Sequence, residues 1–330
     1  MSRKSFFSLA LIAPVCFVGL ATAADQPSAA KPEQVRIKFD WPAGLSARIT
    51  ATNSKSRSKD GGAPAVNQLT MNYTMKTVRH DRGLTVSFGD LALTGPALKD
   101  VPEQPRAMLE LFTKAALPSY IVSGEGDFIE LEDYAAFAKA VRRAFDLTLP
   151  PGSTQHRNPA LIDQLVSKPI LSALANAEWN GWVGSWSGTA QTFALAEEYS
   201  WKSQVVMPLV NRPVETRTTL VFMRKLQCER GGQTLECVEL LAVDRPDPEQ
   251  TAVAIAKLVD SLTPEALAKF RVETLSVTTT IELVTETATL IPHRFHRLKN
   301  VSMTALEDGK KVTGQTLEES QLEFSYAAGK

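Results

Sequence analysis

The sequence predicts an α+β fold: a long, strongly curved antiparallel β-sheet, an open or half barrel, with inserted helices packing on one face. Three observations carry this. Runs of apolar–polar alternation recur along much of the chain, the period-two signature of strands with one wet face. Some of these runs reach about 14 residues, on the order of 45 Å, and ribbons of that length must twist and bend. Between the hairpins lie segments with three-to-four-residue apolar spacing, several of them opened by a capping residue and a proline.

Taken in order, residues 24–34 form a small, polar, Pro-containing lead, expected to be mobile. Val35, Ile37, Phe39 and Trp41 then share one strand face against Arg36, Lys38 and Asp40. Pro42-Ala43-Gly44 breaks the run. Leu45, Ala47, Ile49 and Ala51 resume it, which predicts a hairpin. Residues 53–64 are polar and predict a loop, with Lys55, Arg57 and Lys59 near its tip as a solvated basic cluster. Leu69, Met71, Tyr73 and Met75 alternate with polar residues, His80-Asp81-Arg82-Gly83 turns the chain, and Leu84, Val86 and Phe88 begin the return.

Met108, Leu111, Phe112 and Ala115 make a helical stripe; Tyr134, Phe137, Ala138, Val141 and Phe145 make another. A short hairpin around Gly124-Glu125-Gly126-Asp127 separates them. Asn158-Pro159, Asp247-Pro248 and Thr263-Pro264 pair a capping side chain with a proline at the first helical position, and Ser167 with Pro169 is a looser version. Strands return at the C-terminal end, with Leu275, Val277, Ile281 and Leu283 alternating, and with two further strands flanking Asp308-Gly309. The layout predicts one β-rich domain over 35–330. Its loosely repeated order of hairpins and helices suggests halves of about 35–180 and 181–330.

Residues 1–23 carry a basic head at Arg3 and Lys4, an apolar run from Phe6 to Leu20, and Ala21-Thr22-Ala23. This reads as a secretory signal, removed in the mature protein, and places the chain in the periplasm or outside the cell. No later segment offers the roughly 20 apolar residues of a membrane-spanning helix, so no integral span is expected. Cys16 sits poorly for a lipoprotein signal, with Pro14 and Val15 before it. The full chain has 36 basic and 36 acidic residues. Loss of Arg3 and Lys4 leaves it slightly acidic, with no general field for nucleic acid or an anionic membrane.

Removal of Cys16 leaves Cys228 and Cys237, an even count that in an exported protein suggests a disulfide. Leu220, Phe222, Leu226 and Cys228 read as one face of a strand, and Leu235, Cys237, Leu241 and Val243 as one face of the next. With Gly232-Gln233 as the loop residues, Cys228 would stand directly opposite Cys237 at a non-hydrogen-bonded pair, where facing Cα atoms are closest. Two free thiols are the alternative.

No catalytic constellation emerges. His293 and His296 are three apart, which on a strand sends them to opposite faces, flanking Phe295, so no metal site is expected. Gly184-Ser185-Trp186-Ser187-Gly188 holds Trp186 where a nucleophile elbow needs serine. No dinucleotide or phosphate loop is present, and no cofactor is implied. Trp179, Trp182 and Trp186 either line a ligand surface or anchor the helix-to-sheet crossover in the core.

Alternating strands such as Val35 to Trp41 and Leu275 to Leu283, with helices such as Tyr134 to Phe145 available to cover a concave face, resemble the periplasmic lipoprotein carriers of the Lol type. The resemblance lies in pattern, without a shared motif, and this chain is longer. It implies an apolar concave sheet under a helical lid. Leu69, Met71, Met75, Phe222 and Leu283 supply apolar side chains for such a cradle. The expected function is therefore a binding or carrier protein for an apolar, lipid-like ligand. An envelope scaffold or protein-interaction module with an envelope-protein partner is the alternative, and a hydrolase ranks third.

Overall fold

The computed structural model describes residues 33–95, 98, 110, 117–148, 159–187, 191–207, 212–262 and 270–327. The expected signal segment, most of the lead, the 108–115 stripe apart from Glu110, Asn158, and the Thr263-Pro264 cap lie outside the described residues. In chain order the elements are β1 (Gln34–Ile37), β2 (Ser46–Lys59), β3 (Ala65–His80), β4 (Gly83–Thr94), β5 (Tyr120–Val122) and β6 (Phe128–Leu131). Helices α1 (Tyr134–Thr148), α2 (Pro159–Leu165) and α3 (Lys168–Trp182) follow. Then come β7 (Gln191–Ala194), β8 (Glu198–Met207), β9 (Arg212–Arg230), β10 (Gln233–Pro246), α4 (Pro248–Leu262), β11 (Phe270–Glu286), β12 (Pro292–Glu307) and β13 (Lys310–Tyr326).

Eleven strands form one antiparallel sheet in the order β6-β5-β4-β3-β2-β13-β12-β11-β10-β9-β8. β6 and β8 are its edges, so the sheet is open rather than closed into a barrel. From β8 inward, the C-terminal strands run in sequence to β13, and the N-terminal strands then continue from β2 to β6. The first long strand and the last are therefore neighbours at the centre, with Ala51 facing Leu322. The segment carrying α1 to α3 links one edge strand to the other. Ile49, Met75, Val86, Val122, Phe222, Leu240, Leu283, Phe295 and Leu322, each from a different strand, join one core cluster with Trp179 and Trp182 of α3. The inner face therefore curls around α3. This is the predicted architecture: a curved antiparallel sheet with helices on one face.

Four local expectations are corrected. β1 does not pair with β2; it forms a two-stranded sheet with β7, Val35 facing Phe193. The alternation marks a strand but not its partner, and both edges of β2 are taken, by β3 and β13. Residues 53–59 are strand, not loop. Their polar side chains find cross-strand partners: Lys55 with Glu318, Ser54 with Glu319 at 3.2 Å, and Lys59 with Glu307 at 2.8 Å. Thus two of the three basic residues assigned to a solvated loop are ion-paired.

The third correction concerns β9. Phe222 belongs to the main core, whereas Leu226 and Cys228 belong to a separate small cluster with Cys237 and Val284. The ladder shifts register there: Glu239 faces Arg224, Leu240 faces Phe222, and Met223 has no partner. This bulge at Met223 moves the residues beyond it to the opposite face. β10 itself alternates without a break: Leu235, Cys237, Leu241 and Val243 share one face as read, and Val238, Leu240 and Ala242 on the other face enter the core.

The fourth is the cysteine register. Gly231 and Gly232 are both left-handed, with φ of 60° and 80°, and Arg230 faces Gln233. The double glycine is therefore itself the two-residue turn. Cys228 faces Leu235, and Cys237 faces Leu226, two positions off the expected register. The disulfide nevertheless forms along the diagonal, with the Cα atoms 5.9 Å apart. Diagonal neighbours share a face, and the pair falls inside the range a disulfide spans.

Candidate functional site

The helical crossover fills part of the concave face and leaves part of it open. The filled part is aromatic. Trp179 is fully buried, its Nε1 donating to the Gly126 carbonyl at 2.7 Å. Its ring meets Trp41 at 5.3 Å, Trp182 at 5.4 Å and Tyr120 at 5.5 Å, all edge-on. Such edge-to-face contacts suit the negative ring face and positive rim. Gly126 is needed at this junction: its φ is +93°, and a Cβ there would stand 2.7 Å from the Phe39 ring.

Beside this plug lies a chamber of about 480 Å³. Its helical wall comes from Leu171, Leu174, Ala175, Glu178 and Trp182 of α3, one stripe at three-to-four-residue spacing. Phe137, Val141 and Ala144 of α1 give the second wall. The floor is the sheet: Ala51 and Asn53 of β2, Met71 and Tyr73 of β3, Phe88 of β4, and Leu322 of β13. Residues facing the space from three elements are alanines, at 51, 144 and 175. Where the plug has indoles, the chamber has methyl groups, and this difference in side-chain volume leaves it open.

Polar groups sit at the rim. Arg297 of β12 donates to Glu178 at 3.4 Å, and both side chains are well exposed. A second, wider space of about 940 Å³ adjoins the first and shares Asn53, Leu174, Glu178, Arg297 and Ser320 with it. Lys55, Lys299, Glu318 and Glu319 line this outer space. The cavity thus grades from apolar inside to charged outside. Burial, and after it the negative charge of Glu178, pushes the Tyr120 hydroxyl well above its ordinary pKa, and Tyr73 shifts the same way for the same reasons. Both remain neutral phenols. The arrangement offers burial and a polar rim, with no nucleophile–base pair among the described lining residues.

Of the three tryptophans singled out in the sequence, only Trp182 lines this chamber. Trp179 belongs to the plug. Trp186 lies in the 3₁₀ turn Gly184–Trp186 and lines a different cleft with Phe193 and Tyr199. Tyr73, Phe88, Phe137 and Ala175 were not singled out as site residues. Their only signal was membership of apolar stripes, which core residues share.

A second cluster lies on the other face of the sheet: Val238 joins the main core, and its neighbour Cys237 does not. Here Glu286 of β11 faces Cys237 across the ladder. Its carboxylate is 2% exposed as a residue and accepts hydrogen bonds from Arg230 Nε at 2.7 Å and Thr289 Oγ1 at 2.6 Å. His293 Nε2 lies 3.2 Å from Glu286 Oε1, and the His293 ring sits 5.4 Å from that of Tyr326. Burial pushes the Glu286 carboxyl up, but the hydrogen bonds from His293, Thr289 and Arg230, with the Arg230 charge, outweigh it and hold the group below its usual value. His296 engages Glu282 and Glu319 instead, so the two histidines serve separate clusters.

Among the described residues no helix is long and apolar enough to cross a membrane. No family model matches the chain, and no curated protein matches it. Among solved structures it shows a slight similarity to the crystal structure of an outer membrane channel from Pseudomonas putida F1. That overlap has 8% identity over 87% of this chain and 97% of that one, with a TM-score of 0.18, too low to carry an argument about fold or function.

Proposed function

We propose that this is an exported binding or carrier protein for an apolar, lipid-like ligand, held in the chamber between the concave sheet and α1 and α3. The observation that carries the reading is the chamber itself. It is walled by aliphatic and aromatic side chains, has a charged rim, and lies within the size range of small-molecule sites. Its 480 Å³ is roughly three times the 150 Å³ cavity that takes a benzene ring, room for about 18 carbon atoms. One long acyl chain fits that volume. The Glu178–Arg297 rim would then meet the ligand's polar end. The pattern shared with Lol-type carriers, an apolar cradle under helices, supports the same reading. The disulfide fits an exported chain, since such bridges persist in oxidising compartments.

The test is uptake of a fluorescent long-chain fatty acid by the purified protein, beside native mass spectrometry for co-purifying lipid. Wild type should bind one probe per chain. Ala175→Phe, which fills the chamber from α3, should cut uptake at least tenfold while keeping a cooperative melt. Clean mass spectra, together with no probe binding by folded wild type, would reject the carrier. A second reading, a protein-interaction module, rests on edge strand β8, where Trp201 and Val205 are exposed. It predicts that Ala175→Phe leaves partner capture intact.

A further inference from the structure

We infer that Cys228, Cys237 and His293 form a redox-gated site for a zinc-class divalent cation, closed while the cysteines are bridged and opened by reduction. The two sulfurs and a ring nitrogen of His293 all lie within 4.8 Å of one another. They come from three strands of the sheet, β9, β10 and β12, so the ladder holds them in place rather than a loop. A tetrahedral zinc ion with sulfur at about 2.3 Å and nitrogen at about 2.0 Å sets its ligands roughly 3.5–4 Å apart. Cleaving the bridge lets the sulfurs part to that spacing, while the nitrogen is already at hand.

The surroundings favour a metal-binding imidazole. Glu286 stands 3.2 Å from His293 Nε2 and is itself fixed by Arg230 and Thr289. With Nδ1 as the ligating atom, a carboxylate on Nε2 would fix the ring's orientation and tautomer. The cluster is mostly buried, with Cys237 at 0% and Cys228 at 8% exposure, so a reductant enters at Cys228. Opening consumes a dithiol. Its thiolate attacks one cysteine sulfur, its second thiol displaces that sulfur, and it departs as its own disulfide. Two electrons pass to the protein, and two protons complete the cysteine thiols. The cation then displaces both thiol protons to solvent, forming two metal–thiolate bonds and one metal–imidazole bond, with a fourth position left for water. This site is on the opposite face from the apolar chamber and does not depend on the carrier reading.

The experiment uses the full chain, reduced with a phosphine, freed of metal, and titrated with Co²⁺ under argon. Reduced wild type should bind one ion, with ligand-field bands and a thiolate charge-transfer band, and Zn²⁺ should displace it. Unreduced protein should bind none. His293→Ala should weaken binding at least tenfold, and His293→Gln serves if the alanine variant does not fold. Equal affinity of the reduced histidine variant and reduced wild type would overturn the proposal. So would loss of the far-ultraviolet β signal on reduction, or absence of the charge-transfer band.

Discussion

The two faces of the sheet are held by different forces. The inner face is a continuous apolar cluster around Trp179, Phe222 and Phe295, all essentially inaccessible to water. The outer face carries polar clusters: Glu239 between Arg224 and Arg294, and Glu286 between Arg230 and His293. Inner-face stability depends on volume, and a missing side chain leaves a void. Outer-face stability depends on charge, and responds to pH and salt. The chamber under α3 shows that volume control on the inner face is incomplete by construction: alanines stand where the neighbouring region has indoles.

Three substitutions test this contrast, from the largest effect down. Trp179→Ala removes the centre of the aromatic plug and the hydrogen bond to Gly126. Urea unfolding should show a loss of about 3–5 kcal/mol, with little dependence on pH or salt. A loss below 1 kcal/mol would mean that the plug is not the inner-face anchor.

Glu286→Gln breaks the buried outer-face cluster. Arg230 keeps partial solvent access, which reduces the cost, so about 2 kcal/mol should be lost at neutral pH. The sign with pH follows from the lowered carboxyl. Its contribution is complete above the ordinary value of 4.5 and disappears as pH falls below that, through the folded-state value. Wild type and variant should therefore converge in stability as the solution is acidified. Parallel curves across that range would remove Glu286 from the account.

Lys55→Met tests the far end of the inner face, where β2 and β13 run past the apolar cluster and Lys55 faces Glu318 at the cavity mouth. The Lys55 and Glu318 side chains are each more than a third exposed, so the cost should stay under about 1 kcal/mol and shrink as salt is added. A larger, salt-independent loss would mean that this charged mouth is held in the same way as the apolar cluster behind it.

The sequence revealed the strands and their faces wherever alternation was unbroken. Ala47, Ile49 and Ala51 are buried as read, and so are Leu275, Ile281 and Leu283. Legibility failed where partners mattered. Residues 53–59 look like a loop because their carboxylate partners, Glu307, Glu318 and Glu319, lie more than 240 positions away. The bulge at Met223 leaves no local signature, yet it takes Leu226 and Cys228 of β9 out of the main core. The chamber was least legible of all. It exists because Ala51, Ala144 and Ala175 from distant elements meet, and an alanine within an apolar stripe does not announce that it faces a space.

The central seam between β2 and β13 has a kinetic consequence. It pairs the first long strand of the sheet with the last, Ala47 with Tyr326 and Ala51 with Leu322. During synthesis β2 and β3 emerge early, but the β2 edge that meets β13 waits until the final strand arrives. Contacts this distant in sequence slow folding, because the closure entropy must be met before pairing stabilises the chain. Until then the middle of the sheet is an open edge, able to pair with another chain. Truncation before Lys310 would therefore split the sheet through its centre rather than fray its border. The last seventeen residues of the strand order, Lys310–Tyr326, act as the closing step of the whole assembly.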